Sequence, residues 1–108
     1  KRLTILRGKA LHRLSKDEVK KQLKKLEGWK YEHHSIKKEY VFDTYMESIH
    51  YINLLAEKAE ENNHHPDLVV GWCKIGLVFT SHDLGGVTQL CIKMAKEAEK
   101  IFSSIESS

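Results

Sequence analysis

No apolar run in this chain approaches the roughly 20 residues that a membrane-spanning helix needs, so no helical span is expected within it. Proline occurs once, as Pro66, and no Gly/Pro-rich linker, low-complexity tract or internal repeat divides the 108 residues into separate domains. Cysteine occurs twice, as Cys73 and Cys91, which is too few for a disulfide scaffold and lacks C-x-x-C spacing. Both are expected as reduced, buried thiols of a cytosolic protein. A Gly-x-Ser-x-Gly elbow is missing, and neither cysteine stands at an evident nucleophile position, which speaks against covalent catalysis. A strong charge of either sign is also lacking. Eighteen basic against fifteen acidic residues leave +3, which commits the chain to no nucleic-acid partner.

Much of that small excess sits in KRLTILRGK, residues 1–9, where four of nine are basic. Residues 1–10 read as a basic N-terminal extension ahead of a single domain over 11–108. The extension is too charged for a secretory core and too short for a transit peptide. The chain opens with Lys1 rather than Met, as a piece trimmed from a longer protein would.

What is present is a globular composition, 41% apolar and 31% charged. Ser15 and Glu18 form an S-x-x-E capping box; Val19, Leu23 and Leu26 follow at helical spacing, and Gly28 predicts a stop near Glu27. Two strand-like runs come next, one carrying Trp29, Tyr31 and His33, the other Ile36, Tyr40 and Phe42, with a turn near His34 and Ser35. Asp43 or Thr44 can cap a second helix whose apolar stripe is Tyr45, Ile49, Ile52, Leu55, Ala56 and Ala59, ending near Asn62 ahead of Pro66. Leu68 to Ser81 is too long and apolar for one strand and predicts a hairpin turning around Cys73–Lys74. Past Gly85 and Gly86, Val87, Leu90, Cys91, Met94, Ala98, Ile101, Phe102 and Ile105 mark a third helix. The order α-β-β-α-β-β-α predicts an α+β fold: a four-stranded antiparallel sheet with three helices packed on one face, the other face open.

Seven histidines are present, and three are placed where elements end. His64 and His65 close the second helix ahead of Pro66, and His82 ends a strand beside the Gly85–Gly86 loop. In an antiparallel hairpin the start of one strand and the end of its partner share an edge, so the three can meet. His12, His33, His34 and His50 have packed or solvated explanations. Three readings of the trio stay open on the residues alone. A zinc site of three histidines and water is one, although adjacent residues rarely aim both rings at one ion and no HExxH or H-x-H spacing occurs. Acid–base catalysis is the second, since an imidazole with a pKa of about 6.5 exchanges protons near neutrality. Histidines that merely line a turn are the third.

The motif E-x-x-x-H-H-P at Glu60, His64, His65 and Pro66, then Trp72, then T-S-H-D at Thr80–Asp83, resembles the pterin-4a-carbinolamine dehydratase family, also known as the dimerisation cofactor of a hepatocyte nuclear factor. The likeness runs from His12 through Gly28–Trp29 to the last helix, without a gap between the histidine pair and His82. It implies a similar fold and a defined reaction: a 4a-hydroxytetrahydrobiopterin loses water to give the quinonoid dihydropterin, in tetrahydrobiopterin recycling. Neither a metal nor another cofactor is required. By the resemblance the catalytic residues are His64, His65 and His82: His64 and His82 are the proton-transfer pair, and His65 holds the pterin and supports the pair electrostatically. Glu60, Asn63, Pro66, Thr80, Ser81 and Asp83 are expected at the substrate; by its spacing, one helical turn before His64, Glu60 either orients that imidazole or is an ordinary solvated glutamate of a charged run. Trp29 and Trp72 are either pocket walls or core. Self-association as a homodimer or homotetramer is implied, a transcription-factor dimerisation partner is admitted, and the location is cytoplasmic or also nuclear. One departure stands out. Nine residues after His82 the family pattern has aspartate, and this chain has Cys91. With Thr88 as N-cap, Cys91 falls where an acid would close a capping box, so the change reads as a weaker helix start, costing about 1 kcal/mol.

Overall fold

The computed structural model describes residues 11–107, so the basic extension over 1–10 lies outside the described residues. Ser15 starts α1 (Lys16–Leu23) with the expected capping box: its hydroxyl accepts from the Glu18 N–H at 3.1 Å, and the Glu18 carboxylate accepts from the Ser15 N–H at 2.7 Å. The helix stops at Leu23, short of Glu27. The amides of Lys24, Lys25 and Leu26 bond to the carbonyls of Lys21, Gln22 and Leu23, three residues back. That tighter winding buries Leu26 and delivers the chain to Gly28, whose φ of +87° a side chain would strain.

Strands β1 (Lys30–Glu32) and β2 (Ser35–Val41) form a hairpin whose two turn residues are His33 and His34. Both have positive φ, 52° and 61°, as a two-residue hairpin turn that follows the sheet twist requires. The turn is thus one residue earlier than expected. Its residues are not the glycine or asparagine that signals it. Left-handed backbone costs a non-glycine roughly 1–2 kcal/mol, and Thr80 offsets part of this by donating its hydroxyl to the His34 carbonyl at 2.8 Å.

Helix α2 (Tyr45–Asn62) is capped by Thr44, which accepts from the Glu47 N–H at 3.1 Å. Its buried stripe is Ser48, Tyr51, Leu55 and Ala59, rotated from the expected one, so that Tyr45 is 45% exposed. Tyr51 is the reason. Its ring lies 5.2 Å from those of both Tyr40 and Phe42, and its hydroxyl donates to the Ala98 carbonyl. A buried tyrosine is affordable only where its hydroxyl has such a partner.

Strands β3 (Asp67–Gly71) and β4 (Lys74–Phe79) turn at Trp72–Cys73, again one residue earlier than expected, with Cys73 at φ 62°. The sheet order is β1-β2-β4-β3, antiparallel throughout. Ile36 and Tyr40 of β2 and Ile75, Leu77 and Phe79 of β4 alternate onto the covered face, where α2 and α3 (Gln89–Glu106) pack. Burying each such side chain contributes about 1.5–3 kcal/mol. Lys38 is on the same face, and Glu99 of α3 answers it: one carboxylate oxygen takes hydrogen bonds from Lys38 at 2.6 Å, Trp29 at 3.1 Å and the Tyr40 hydroxyl. Edge strand β3 is exposed along its whole length. Among the described residues no helix is long and apolar enough to cross a membrane.

Candidate active site

The three patterned histidines lie at the end of the sheet where β3 begins and β4 finishes. Asn63 makes the first placement. It caps α2 in the left-handed conformation, φ 48°, which asparagine adopts more readily than most residues. The next amide, of His64, bonds back to the Ala59 carbonyl at 3.0 Å. The reversal turns His64 inward, across the sheet end. Its ring lies nearly parallel to that of Phe79, 13° apart with centroids at 6.1 Å, and its Nε2 stands 3.2 Å from the Cys91 sulfur.

His65 points the other way, back over the last turn of α2. Its Nε2 is 2.5 Å from a carboxylate oxygen of Glu60. The expected partner of Glu60 was His64; the left-handed residue at 63 exchanges the two, because it sends the first ring under the sheet and leaves the second over the helix. His82 stands on the loop after β4, with Nε2 3.9 Å from the Asp67 carboxylate. Both of those side chains are largely exposed, so solvent screens the pair and it fixes position weakly.

Ser81 clamps the loop that carries His82 and Asp83. Its carbonyl accepts from the amides of Leu84, Gly85 and Gly86, and its own amide donates to the Gly86 carbonyl at 2.9 Å. Arg13 lies across the loop, where a Cβ on Gly86 would come within 2.4 Å of its Cδ. His82 and Asp83 therefore stand at the tip of a short, pinned loop.

The three rings share one electrostatic environment. His64 is half-buried, and burial is the largest influence on it, disfavouring the imidazolium and holding its pKa below the ordinary value. Asp83 opposes that shift, while His65 and His82 add to it. A neutral imidazole is therefore the form that these surroundings favour near pH 7.

The remaining expected residues divide by role. Asn63, Pro66 and Asp83 border the histidines, and Asn63 and Asp83 are exposed. Thr80 spends its hydroxyl on the His34 carbonyl, and Ser81, 5% exposed, spends its own on Thr88 at 2.8 Å. Both hydroxyls thus serve the frame of the site. Trp72 is neither pocket wall nor core: it is 82% exposed at the β3–β4 turn, roughly 17 Å of strand away from the histidines. Trp29 is core.

Sequence reasoning missed two contacts of His64. Phe79 under the ring was concealed in an ordinary strand alternation. Cys91 reads from the sequence only as a change at a helix start. Thr88 caps α3 without a side-chain bond, its hydroxyl being paired with Ser81, and the effect of Cys91 is not confined to the helix start. The Cys91 side chain is fully buried and reaches the histidine. Among the described residues no three His, Cys, Asp or Glu side chains are grouped so that they could hold a metal ion. A groove of about 700 Å³ lies elsewhere, on the open sheet face between Lys30, Glu32, Lys37, Glu39, Val69 and Val78, without any of the histidines.

Residues 12–101 match the model of a family described as pterin 4 alpha carbinolamine dehydratase. The chain belongs to that family. Its enzymes are hydro-lyases. Among the relatives, two proteins with pterin-4-alpha-carbinolamine dehydratase in their names are similar to this chain. One, from Sulfolobus acidocaldarius, is 36% identical over 82% of this chain and 98% of its own. The other, from Aquifex aeolicus, is 37% identical over 88% and 96%. A solved structure from Brucella melitensis, described as a transcriptional coactivator/pterin dehydratase, superposes with a TM-score of 0.81 at 27% identity, covering 83% of this chain and 98% of that one. For the dehydratase fold, then, the order of elements read from hydrophobic periodicity holds.

Proposed function

We propose that the chain is a 4a-hydroxytetrahydrobiopterin dehydratase of tetrahydrobiopterin recycling, and that His64 and His82 move the protons. Water leaves when the C4a–O bond breaks, the departing hydroxide takes a proton, N5 gives one up, and its electron pair forms the C4a=N5 bond. Substrate and product differ by one water, so the step needs no oxidant or reductant. The single observation that supports this best is that His65, His82 and Asp83 all act on the charge of one half-buried imidazole, that of His64. A positioned acid or base contributes roughly 10²–10⁴ in rate.

His65, steadied by Glu60, is the natural contact for the pterin ring, with Asn63, Pro66 and Asp83 bordering it; Thr80 and Ser81 hold the loops. Self-association as a dimer or tetramer belongs to the same proposal, and the exposed edge of β3 with Val69 and Trp72 offers a surface for it. A transcription-factor partner, and a cytoplasmic or nuclear location, come with the family and have no specific feature here. The test is stopped-flow mixing of chemically generated 4a-hydroxypterin with the protein. Dehydration faster than in buffer supports the assignment, and an unchanged rate rejects it.

A further inference from the structure

Cys91 sits at the first turn of α3 with three polar neighbours: His64 Nε2 at 3.2 Å, Ser81 Oγ at 3.7 Å and Thr88 Oγ1 at 3.9 Å. Ser81 and Thr88 are themselves bonded hydroxyl to hydroxyl at 2.8 Å. Each of these groups owns one hydrogen, so the direction of the chain can be worked out. A thiol is a weak donor and a weaker acceptor, whereas the bare nitrogen of a neutral imidazole accepts well. The arrangement that gives every hydroxyl and thiol hydrogen a partner within 3.7 Å runs Thr88 O–H to Ser81 Oγ, Ser81 O–H to Cys91 Sγ, and Cys91 S–H to His64 Nε2. In the reverse direction the Thr88 hydroxyl is left with only the long sulfur contact.

Nδ1 of His64 follows by elimination. Among the described residues it has no protein partner and no buried side-chain nitrogen or oxygen lacks one, so Nδ1 is not sealed from solvent. We propose that Cys91 is a positioning residue for His64: its S–H fixes the Nδ1–H tautomer, so that in the neutral ring Nδ1 meets substrate as a donor and takes part in proton exchange only as Nε2 accepts the Cys91 proton. The role of His64 in that exchange rests on the dehydratase reading; the tautomer does not.

A cysteine in this place has a second consequence. A carboxylate there, as the family pattern has, would be a charged acceptor. It would take Nε2–H, reverse the tautomer and stabilise the imidazolium. The groups facing His64 are Asp83 and His82 from the loop after β4, His65 from its own segment, the Phe79 ring, and Cys91 from α3. With a thiol on α3, Asp83 is, among the described residues, the one carboxylate that acts on it.

The experiment is a long-range 1H–15N spectrum of 15N-histidine-labelled protein, taken above and through the titration of His64. The expected wild-type pattern is a protonated Nδ1 and a bare Nε2, opposite to the preference of free histidine. Cys91→Ser keeps the donor and should keep the pattern. Cys91→Ala should return His64 to Nε2–H, and Cys91→Asp should do so while raising its titration midpoint by about one to three pH units. The acid limb of kcat/KM should move with that midpoint. A wild-type spectrum showing Nε2–H, or one unchanged in Cys91→Ala, overturns the proposal. If the aspartate variant fails to fold, the wild-type and serine spectra decide. A wild type with the expected tautomer but no dehydration would reject the enzyme assignment alone.

Discussion

Glu60 holds His65 and not the histidine one helical turn after it: the carboxylate oxygen is 2.5 Å from His65 Nε2. The contact orients a ring that is otherwise half out in solvent. Glu60→Ala should therefore lower kcat/KM by about tenfold, below the 10²–10⁴ of a residue that moves the proton itself, with the melting temperature nearly unchanged. Steady-state rates beside a thermal melt check it.

Asp83 raises the pKa of His64 against burial, which lowers it. Asp83→Asn removes the opposing influence, so the imidazole should titrate lower still. The measurement is the His64 ring C–H shift followed through the acid range. Wild type should titrate below about 6.5, and the variant below wild type.

Glu99 gives the fold an acid sensitivity of its own. Burial pushes its carboxyl up, but hydrogen bonds from Lys38, Tyr40 and Trp29, with the charge of Lys38, outweigh that and hold it below the ordinary value. A folded carboxyl that titrates lower than the unfolded one adds stability above the unfolded pKa of about 4.3, and the contribution is lost as pH falls through the folded value. Urea midpoints for Glu99→Gln should be lower than wild type at pH 7, and the two should converge toward pH 3.

Chelation is a separate check. No metal-holding group of three His, Cys, Asp or Glu side chains occurs among the described residues. Dehydration by protein treated with excess EDTA and desalted is expected to match that of untreated protein, whereas a loss restored by zinc would bring back the metal reading.

Most of the fold was legible because it depends on periodicity: the capping box at Ser15, the apolar stripe of α3 and the two hairpins all follow from spacing. Both turns shifted by one residue, since His33, His34 and Cys73 adopt left-handed backbone that nothing in their chemistry announces. The α2 stripe rotated because Tyr51 counts as core only once Ala98 is seen to accept its hydroxyl. At the site, the gathering of three histidines could be argued from strand ends alone. Which histidine turns inward could not, because it hangs on the conformation of Asn63. Nor could the Cys91–His64 contact, which joins residues 27 positions apart.

The central claim is that these imidazoles carry the proton transfers. The direct measurement is the stopped-flow dehydration of a 4a-hydroxypterin by the His64→Ala/His82→Ala double variant, after its circular dichroism is shown to match wild type. Each single change is expected to lower turnover at least about tenfold, and the pair to leave a rate near that of buffer. A double variant that dehydrates as fast as the parent would contradict the account.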